Sequence, residues 1–271
     1  MQTLQPTVFF GSGPVAAASL KALMQWQPIS AVVTKQTPPH HKEAAPVEAY
    51  AIQNNLPLLY ADTKRQLEAL VLPDCAYGIV IDYGVIISDG VINHFPLGII
   101  NSHFSLLPEW RGADPITYAL LSGQKTTGVS LMRIDAGLDT GPLIAIKEVT
   151  LTSGDTNQSL TAKLIAASND LLEDSLPLYA AGKLSVYNQP SDAIVTHSQK
   201  FTKQSGVLDP SKTAPELERQ IRAFSGWPGS RLQYKDVWLT IISADASPYN
   251  APVGTLVVHD KSLYYGCKNG S

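Results

Sequence analysis

Residues 7–23 read TVFFGSGPVAAASLKAL. An apolar run stops at Gly11, a second glycine precedes Pro14, and small and apolar residues then recur at helical spacing. The expected reading is a short buried strand at 8–10, a glycine turn and a helix over 14–24, since proline is tolerated in a helix's first turn. The alternation continues outward. Strands are expected at 29–35, within LPLLYA and at 77–81, the last fully apolar as inside a parallel sheet. Helices are expected at 47–55, 64–72 and 88–95. The strand LGIINSHFS, a helix N-capped by Asp114, and the strands TGVSLMRI and PLIAIKEV follow, the last two parted by DAGLDTG. A long helix covers 155–181, where Pro177 ends or kinks it. This order predicts a doubly wound, Rossmann-like α/β domain over residues 1–187. Residues 188–203, rich in proline and small polar residues, read as a linker. Residues 204–271 offer a helix at 215–224 and the short strands VWLTIISA, GTLVVHD and SLYYGC. They predict a small OB-like β-barrel, minimal or truncated because so few strands are present.

With 271 residues, 44% of them apolar, the chain can build a sizeable core. Its formal charge of −3 gives no global nucleic-acid footprint and leaves only local basic patches. Cys75 and Cys267 are far apart, without metal-binding or disulfide spacing, which fits a reducing cytosol. The stretch MQTLQPTVFF has no leader pattern, and no run reaches the roughly 18–20 apolar residues of a membrane span. A cytoplasmic monomer is expected.

Gly11, Gly13 and Ala16 match the first half of a dinucleotide fingerprint, which also requires an acidic residue about 20 positions on. Thr34 and Lys35 stand there instead. Three readings remain: a nicotinamide cofactor with Lys35 on a 2′-phosphate, a tight turn that serves packing alone, or a helix N-terminus facing another phosphate or polar substrate.

The run INSHFSLLPEWRGADPI is more informative. Asn101 and His103 share one face at the end of an apolar strand, where ligands of α/β sheets bind. The DAGLDTG loop brings Asp139, with glycines that let backbone approach a ligand. An amide donor can hold an oxyanion, a histidine can move protons, and a carboxylate can orient the ring and favour its charged form. No serine elbow or reactive cysteine is evident, so direct attack by one substrate on another fits better than a covalent intermediate.

NSHFSLLP and DAGLDTG resemble the motifs of the folate-dependent formyltransferases. Within that family WRGADPI, TGVSLMRIDAGLDTG and LERQIRAFSGWP look most like the enzymes that formylate methionyl-tRNA. The resemblance implies transfer of the formyl group of 10-formyltetrahydrofolate to the α-amine of initiator methionyl-tRNA, with no metal. It implies that Asn101 stabilises the oxyanion, His103 manages protons and Asp139 supports His103. It implies a folate site lined by Ser105, Leu106, Leu107 and Pro108, by Tyr83, Gly84, Val85 and Ile86, and by Asp135 and Gly137. Gly11, Ser12 and Gly13 then face the methionyl-adenosine end of the tRNA, with Lys35, Lys42, Arg111, Arg219 and Arg222 as further acceptor contacts.

Departures from the family pattern accompany these matches. KQTPPHHKEAAP is a short, weakly basic version of the family's acceptor-stem loop, and His40 and His41 read as loop residues, not metal ligands. WRGADPI carries Asp114, which suffices as a helix cap. The basic segment usual at the family's C-terminal end is not seen, which predicts weaker tRNA binding. Trp227 and Trp238 are expected in the core. The rival readings are an amino-sugar nucleotide N-formyltransferase with the same donor, a glycinamide ribonucleotide formyltransferase, and a non-catalytic tRNA- or folate-binding protein.

Overall fold

The computed structural model describes residues 4–39 and 43–271. His40, His41 and Lys42 lie outside the described residues. The elements in chain order are β1 (Thr7–Phe10), α1 (Pro14–Leu23), β2 (Ile29–Thr34), α2 (Pro46–Gln53), β3 (Leu58–Tyr60), α3 (Lys64–Glu68), β4 (Gly78–Val80), α4 (Asp89–Ile92), β5 (Ile99–His103), β6 (Arg111–Gly112), α5 (Pro115–Ser122), β7 (Thr126–Arg133), β8 (Leu143–Thr150) and α6 (Asn157–Ala180). There follow β9 (His197–Ser198), a 3₁₀ turn at Lys203–Gly206, α7 (Ala214–Ala223), β10 (Ser230–Tyr234), β11 (Val237–Ile241), β12 (Leu256–His259) and β13 (Ser262–Tyr265).

The expected doubly wound domain is present. Seven strands form one sheet in the order β3-β2-β1-β4-β5-β7-β8. β1, β2, β3, β4 and β5 pair in parallel, while β7 runs antiparallel to β5. β1 and β4 bury every residue, which explains why their sequences are continuous apolar runs and not alternating ones. The chain first winds from β1 towards β3 and then returns to β4 and winds the other way. The point of reversal therefore lies between β1 and β4.

Local sequence accounts for the helix ends. Pro14 opens α1, and Asp114 caps α5 by accepting from the Thr117 N–H at 3.3 Å. Burial pushes the Asp114 carboxyl above its ordinary value, and its hydrogen bonds from Thr117 partly offset this. Pro177 neither ends nor breaks α6, which closes one turn later at Ala180. The proline removes the one helical bond that the Glu173 carbonyl would accept, and only residues 178–180 of the helix follow it.

By internal contacts the chain divides into two compact units. The first holds residues 1–113, 127–149 and 162–197; the second holds 114–126, 150–161 and 198–271. In the second unit, α7 begins with a capping box between Thr213 and Glu216 and buries Leu217 and Ile221 against Leu208, Leu232 and Cys267. Its strands pair as two hairpins, β10–β11 and β12–β13. The second closes through Asp260 and Lys261, both at positive φ as a two-residue hairpin turn requires. Trp227 and Trp238, expected in the core, are 65% and 50% exposed. Trp238 lies on the outer side of its hairpin, with the Arg231 guanidinium 4.7 Å from its ring centre.

Candidate active site

The polar pair on β5 is placed by alternation. Ser102 points to one face and shares a hydrogen bond of 2.7 Å with Ser168 of α6. Asn101 and His103 therefore point to the other. His103 is 6% exposed, and its Nε2 lies 3.0 Å from the Trp110 carbonyl oxygen. A carbonyl only accepts, so Nε2 carries the proton of the neutral ring and Nδ1 holds the lone pair. That Nδ1 faces the Asp139 carboxylate, 3.7 Å from Oδ2.

β7 leaves the sheet beside β5, where the Ile134 N–H donates to the Ile99 carbonyl at 2.9 Å. The loop over 135–141 then presents Asp139 to the β5 pair. Asp139 Oδ1 accepts from Asn101 Nδ2 at 3.4 Å, and Oδ2 accepts from the Gly112 N–H at 2.7 Å. Asp139 has φ of 52°, a left-handed conformation that costs a non-glycine residue about 1–2 kcal/mol. Asp135 starts the loop, and its carboxylate accepts from the Gly137 N–H (3.0 Å) and the Thr140 hydroxyl (2.7 Å). Gly141 is required because a Cβ there would stand 1.9 Å from the Arg133 carbonyl oxygen.

Sequence reasoning missed three supports. Gln189 donates to the carbonyls of Asp139 (2.8 Å) and Gly141 (3.0 Å) and accepts from the Arg111 guanidinium (2.6 Å). Thr196 accepts from the Trp110 N–H at 2.8 Å through its hydroxyl, and its carbonyl accepts from the Arg111 N–H at 3.0 Å. Trp110 itself, at φ of 53°, supplies the carbonyl that sets the His103 tautomer. Gln189 and Thr196 sit in a stretch whose composition reads as linker, and no local pattern marks them.

The SLLP run lies beside this cluster. Ser105 is fully buried and its carbonyl accepts from the Ser130 hydroxyl at 2.7 Å, while that oxygen accepts from the Leu107 N–H at 3.0 Å. Leu107 packs with Met132 and Leu143, Pro108 is buried, and Leu106 lies over Gly128. Residues 82–86 follow β4, next to β5 in the sheet. Tyr83 is buried with its hydroxyl on the Ala61 carbonyl (2.9 Å), Gly84 has φ of 68°, Val85 is half-buried and Ile86 is 75% exposed.

The glycine turn after β1 has a packing explanation. A Cβ on Gly11 would stand 2.6 Å from Ala16 Cβ and 2.8 Å from the Ile81 carbonyl oxygen. A Cβ on Gly13 would stand 2.1 Å from an Asp82 carboxylate oxygen. The N–H groups of Ser12 (3.1 Å) and Gly13 (3.4 Å) both donate to the Asp82 carbonyl. Lys35 donates to the Gly84 carbonyl at 3.2 Å. Arg219 and Arg222 belong to the packing of the second unit. Arg219 Nε donates to the Leu121 carbonyl (3.3 Å), and Arg222 is paired with Glu218 and donates to the Asp155 carbonyl at 2.7 Å. Lys42 lies outside the described residues. Among the described residues no group of three or more His, Cys, Asp and Glu is arranged to hold a metal ion, and no helix is long and apolar enough to cross a membrane.

Residues 7–176 match the formyl transferase family and residues 200–271 match the formyl transferase C-terminal domain. The chain is 34% identical over 278 residues to the methionyl-tRNA formyltransferase of Myxococcus xanthus, covering 97% of this chain and 87% of that protein. It is also 34% identical over 275 residues to the methionyl-tRNA formyltransferase of Methylococcus capsulatus, covering 97% and 89%. Among solved structures, an N-formyltransferase from Helicobacter canadensis in complex with folinic acid and dTDP-3-aminofucose superposes with a TM-score of 0.74, covering 99% of this chain and 97% of that one. At 17% identity that likeness concerns the fold.

Proposed function

This chain belongs to the formyl transferase family, and from that premise we propose that it transfers the formyl group of 10-formyltetrahydrofolate to the α-amine of initiator methionyl-tRNA. The observation that carries the reading is the convergence of Asn101 Nδ2 and His103 Nδ1 on the Asp139 carboxylate, at 3.4 and 3.7 Å. Relatives that share 34% identity across 97% of the chain favour methionyl-tRNA as the acceptor.

The chemistry follows from the donor set. The amine nitrogen attacks the formyl carbon, and the carbonyl electrons move onto oxygen. Asn101 Nδ2 donates to that oxyanion. The proton leaving the amine goes to His103 Nδ1, the nitrogen that carries no proton in the neutral ring, and the imidazolium formed is balanced by Asp139. Collapse of the tetrahedral intermediate breaks the bond to the folate nitrogen, which takes the proton back. Residues 105–108, the turn over 83–86, and Asp135 and Gly137 bind the donor, with exposed Ile86 and Leu138 offering apolar edges to its rings. Gly11, Gly13 and Arg111 lie on the acceptor side. Arg219 and Arg222 of the second unit and, separately, Lys42 are further basic contacts to the tRNA backbone. On this reading residues 1–187 are the catalytic domain, 188–203 link it, and 204–271 contact tRNA. The enzyme acts as a cytoplasmic monomer.

The test is single-turnover transfer from 10-formyltetrahydrofolate to methionyl initiator tRNA, methionyl elongator tRNA and an amino-sugar nucleotide in parallel. Transfer confined to initiator tRNA supports the reading. Transfer to the sugar alone replaces the acceptor and keeps the catalytic trio. Transfer to none of the three overturns it.

A further inference from the structure

The turn over residues 82–84 is not shaped by its own side chains alone. Asp82 (φ 47°) and Gly84 (φ 68°) are both left-handed, and Asp82 has no glycine's freedom to be so. What holds the turn comes from the end of β1, the neighbour of β4, and from the end of β2 beyond it. The Ser12 hydroxyl donates to the Tyr83 carbonyl at 2.9 Å and lies 3.3 Å from the Asp82 carbonyl. The Ser12 and Gly13 N–H groups donate to that same Asp82 carbonyl. Lys35 Nζ donates to the Gly84 carbonyl at 3.2 Å. Three successive carbonyls, of residues 82, 83 and 84, thus each accept from a donor at the β1 or β2 end.

We infer that Ser12 and Lys35 are positioning residues for the formyl donor: they fix the backbone of the 82–84 turn against which the donor binds, and they act through that turn and not as contacts to the acceptor. The inference rests on the proposed function, which puts residues 83–86 on the folate. The Ser12 hydroxyl has one proton, and the 2.9 Å bond to Tyr83 uses it. Lys35 is tied to the same turn across two strands of the sheet, although it stands where a 2′-phosphate contact of a dinucleotide enzyme would be sought. A turn with two left-handed residues in three positions relaxes when such bonds are removed, and a bound heterocycle then has to reorder it.

The probe is folinic acid, a donor analogue that does not transfer its formyl group, titrated against wild type, Ser12→Ala, Lys35→Met and Lys35→Arg. Donor and acceptor KM and kcat are measured alongside. Expected are dissociation constants about tenfold weaker for Ser12→Ala and about threefold weaker for Lys35→Met. Lys35→Arg, which keeps a donor at that place, restores binding. Acceptor KM, and kcat at saturating donor, stay at wild-type values. That split separates positioning from simple loss of folded enzyme, which lowers kcat and leaves the donor KM alone. Wild type that binds folinic acid while the variants bind it equally well overturns this inference alone, as does a raised acceptor KM with unchanged folinic acid binding. Wild type that binds no folinic acid overturns the functional reading and this inference together. Lys35 is partly exposed and its replacement leaves the core intact, so the Lys35 pair decides the question even where Ser12→Ala is unstable.

Discussion

Replacing Asp139 with asparagine tests the proposed mechanism at its centre. The change is isosteric, and its consequences can be worked atom by atom. The amide oxygen of an asparagine can still accept from the Gly112 N–H, now 2.7 Å from Asp139 Oδ2, so the loop keeps that anchor. Two things are lost. The first is charge: an imidazolium on His103 lies 3.7 Å from the carboxylate, with the two side chains only 7% and 12% exposed. At an effective dielectric constant of about 20, unit charges at that distance attract by about 4.5 kcal/mol. If the imidazolium is formed in the transition state, the loss corresponds to about three decades in rate. The second loss acts in the same direction. With its oxygen on Gly112, the new amide puts its NH2 group at the place of Oδ1, against Asn101 Nδ2, so two donors face each other and the oxyanion donor loses the acceptor that orients it. Single-turnover transfer at saturating donor should therefore fall about a thousandfold, while folinic acid binding and the melting temperature change little. A loss of less than about tenfold would refute the electrostatic argument. A thousandfold loss accompanied by equal loss of folinic acid binding would show that Asp139 holds the site's shape and not its charge.

Other predictions follow from the same geometry. Asn101→Ala removes the oxyanion donor and should lower kcat by about 10²–10³ with little change in donor KM, as read by steady-state kinetics. Gln189→Ala frees the carbonyls of Asp139 and Gly141 together, so kcat should fall about tenfold to a hundredfold, with the 135–141 amides exchanging faster in hydrogen exchange. Glu48 gives a pH prediction. Burial pushes its carboxyl up, but hydrogen bonds from the Thr37 side chain, Tyr60, and the Thr37 and Ala45 backbones outweigh burial and hold it below its ordinary value of 4.5. A carboxyl lowered in the folded state stabilises above its unfolded value and loses that contribution as pH falls through the lowered one. Glu48→Gln should therefore melt below wild type at pH 7, and the gap should close in acid. A gap that is constant with pH would remove the carboxylate's charge from the account of how residues 37 and 45 are anchored.

The sheet was legible because its strands are periodic or continuously apolar, and burial on both faces enforces that pattern locally. Thr7–Phe10 and Ile29–Thr34 fall within a residue or so of their expected bounds. β10 was not legible: SRLQY buries only Ser230 and Leu232, so a half-exposed hairpin strand carries little apolar signal. The exposed tryptophans failed for the opposite reason. Large aromatics suggest core, yet Trp238 sits on a two-stranded hairpin whose outer face has no layer to cover it. Of the candidate site, the grouping of Asn101, His103 and Asp139 was legible because polar residues at the end of an apolar strand, followed by a glycine-bracketed aspartate, have few structural uses. Gln189 and Thr196 were not, since their partners lie about 50 and 86 positions away in sequence and nothing local selects for them.

The opening glycines show why a fold signature need not be a ligand signature. In a dinucleotide enzyme the turn after β1 leaves its amides free for a pyrophosphate at the point where the sheet's winding reverses. Here the reversal lies between β1 and β4, but the Ser12 and Gly13 amides already donate to the Asp82 carbonyl. The crevice is closed by its own two loops, and a phosphate there would have to break those bonds first. Gly11 is still required, because Ala16 and the Ile81 carbonyl approach it too closely for any side chain, whereas at Gly13 the near neighbour is the carboxylate end of the exposed Asp82 side chain. Gly11 thus serves packing, and the crevice beside it is one strand away from the candidate site. In the next gap Val80 of β4 pairs with Asn101 of β5, and the β5 residues that follow lead to His103. Closing the first crevice therefore holds the 82–84 turn at the end of β4, next to the strand β5 that carries Asn101 and His103.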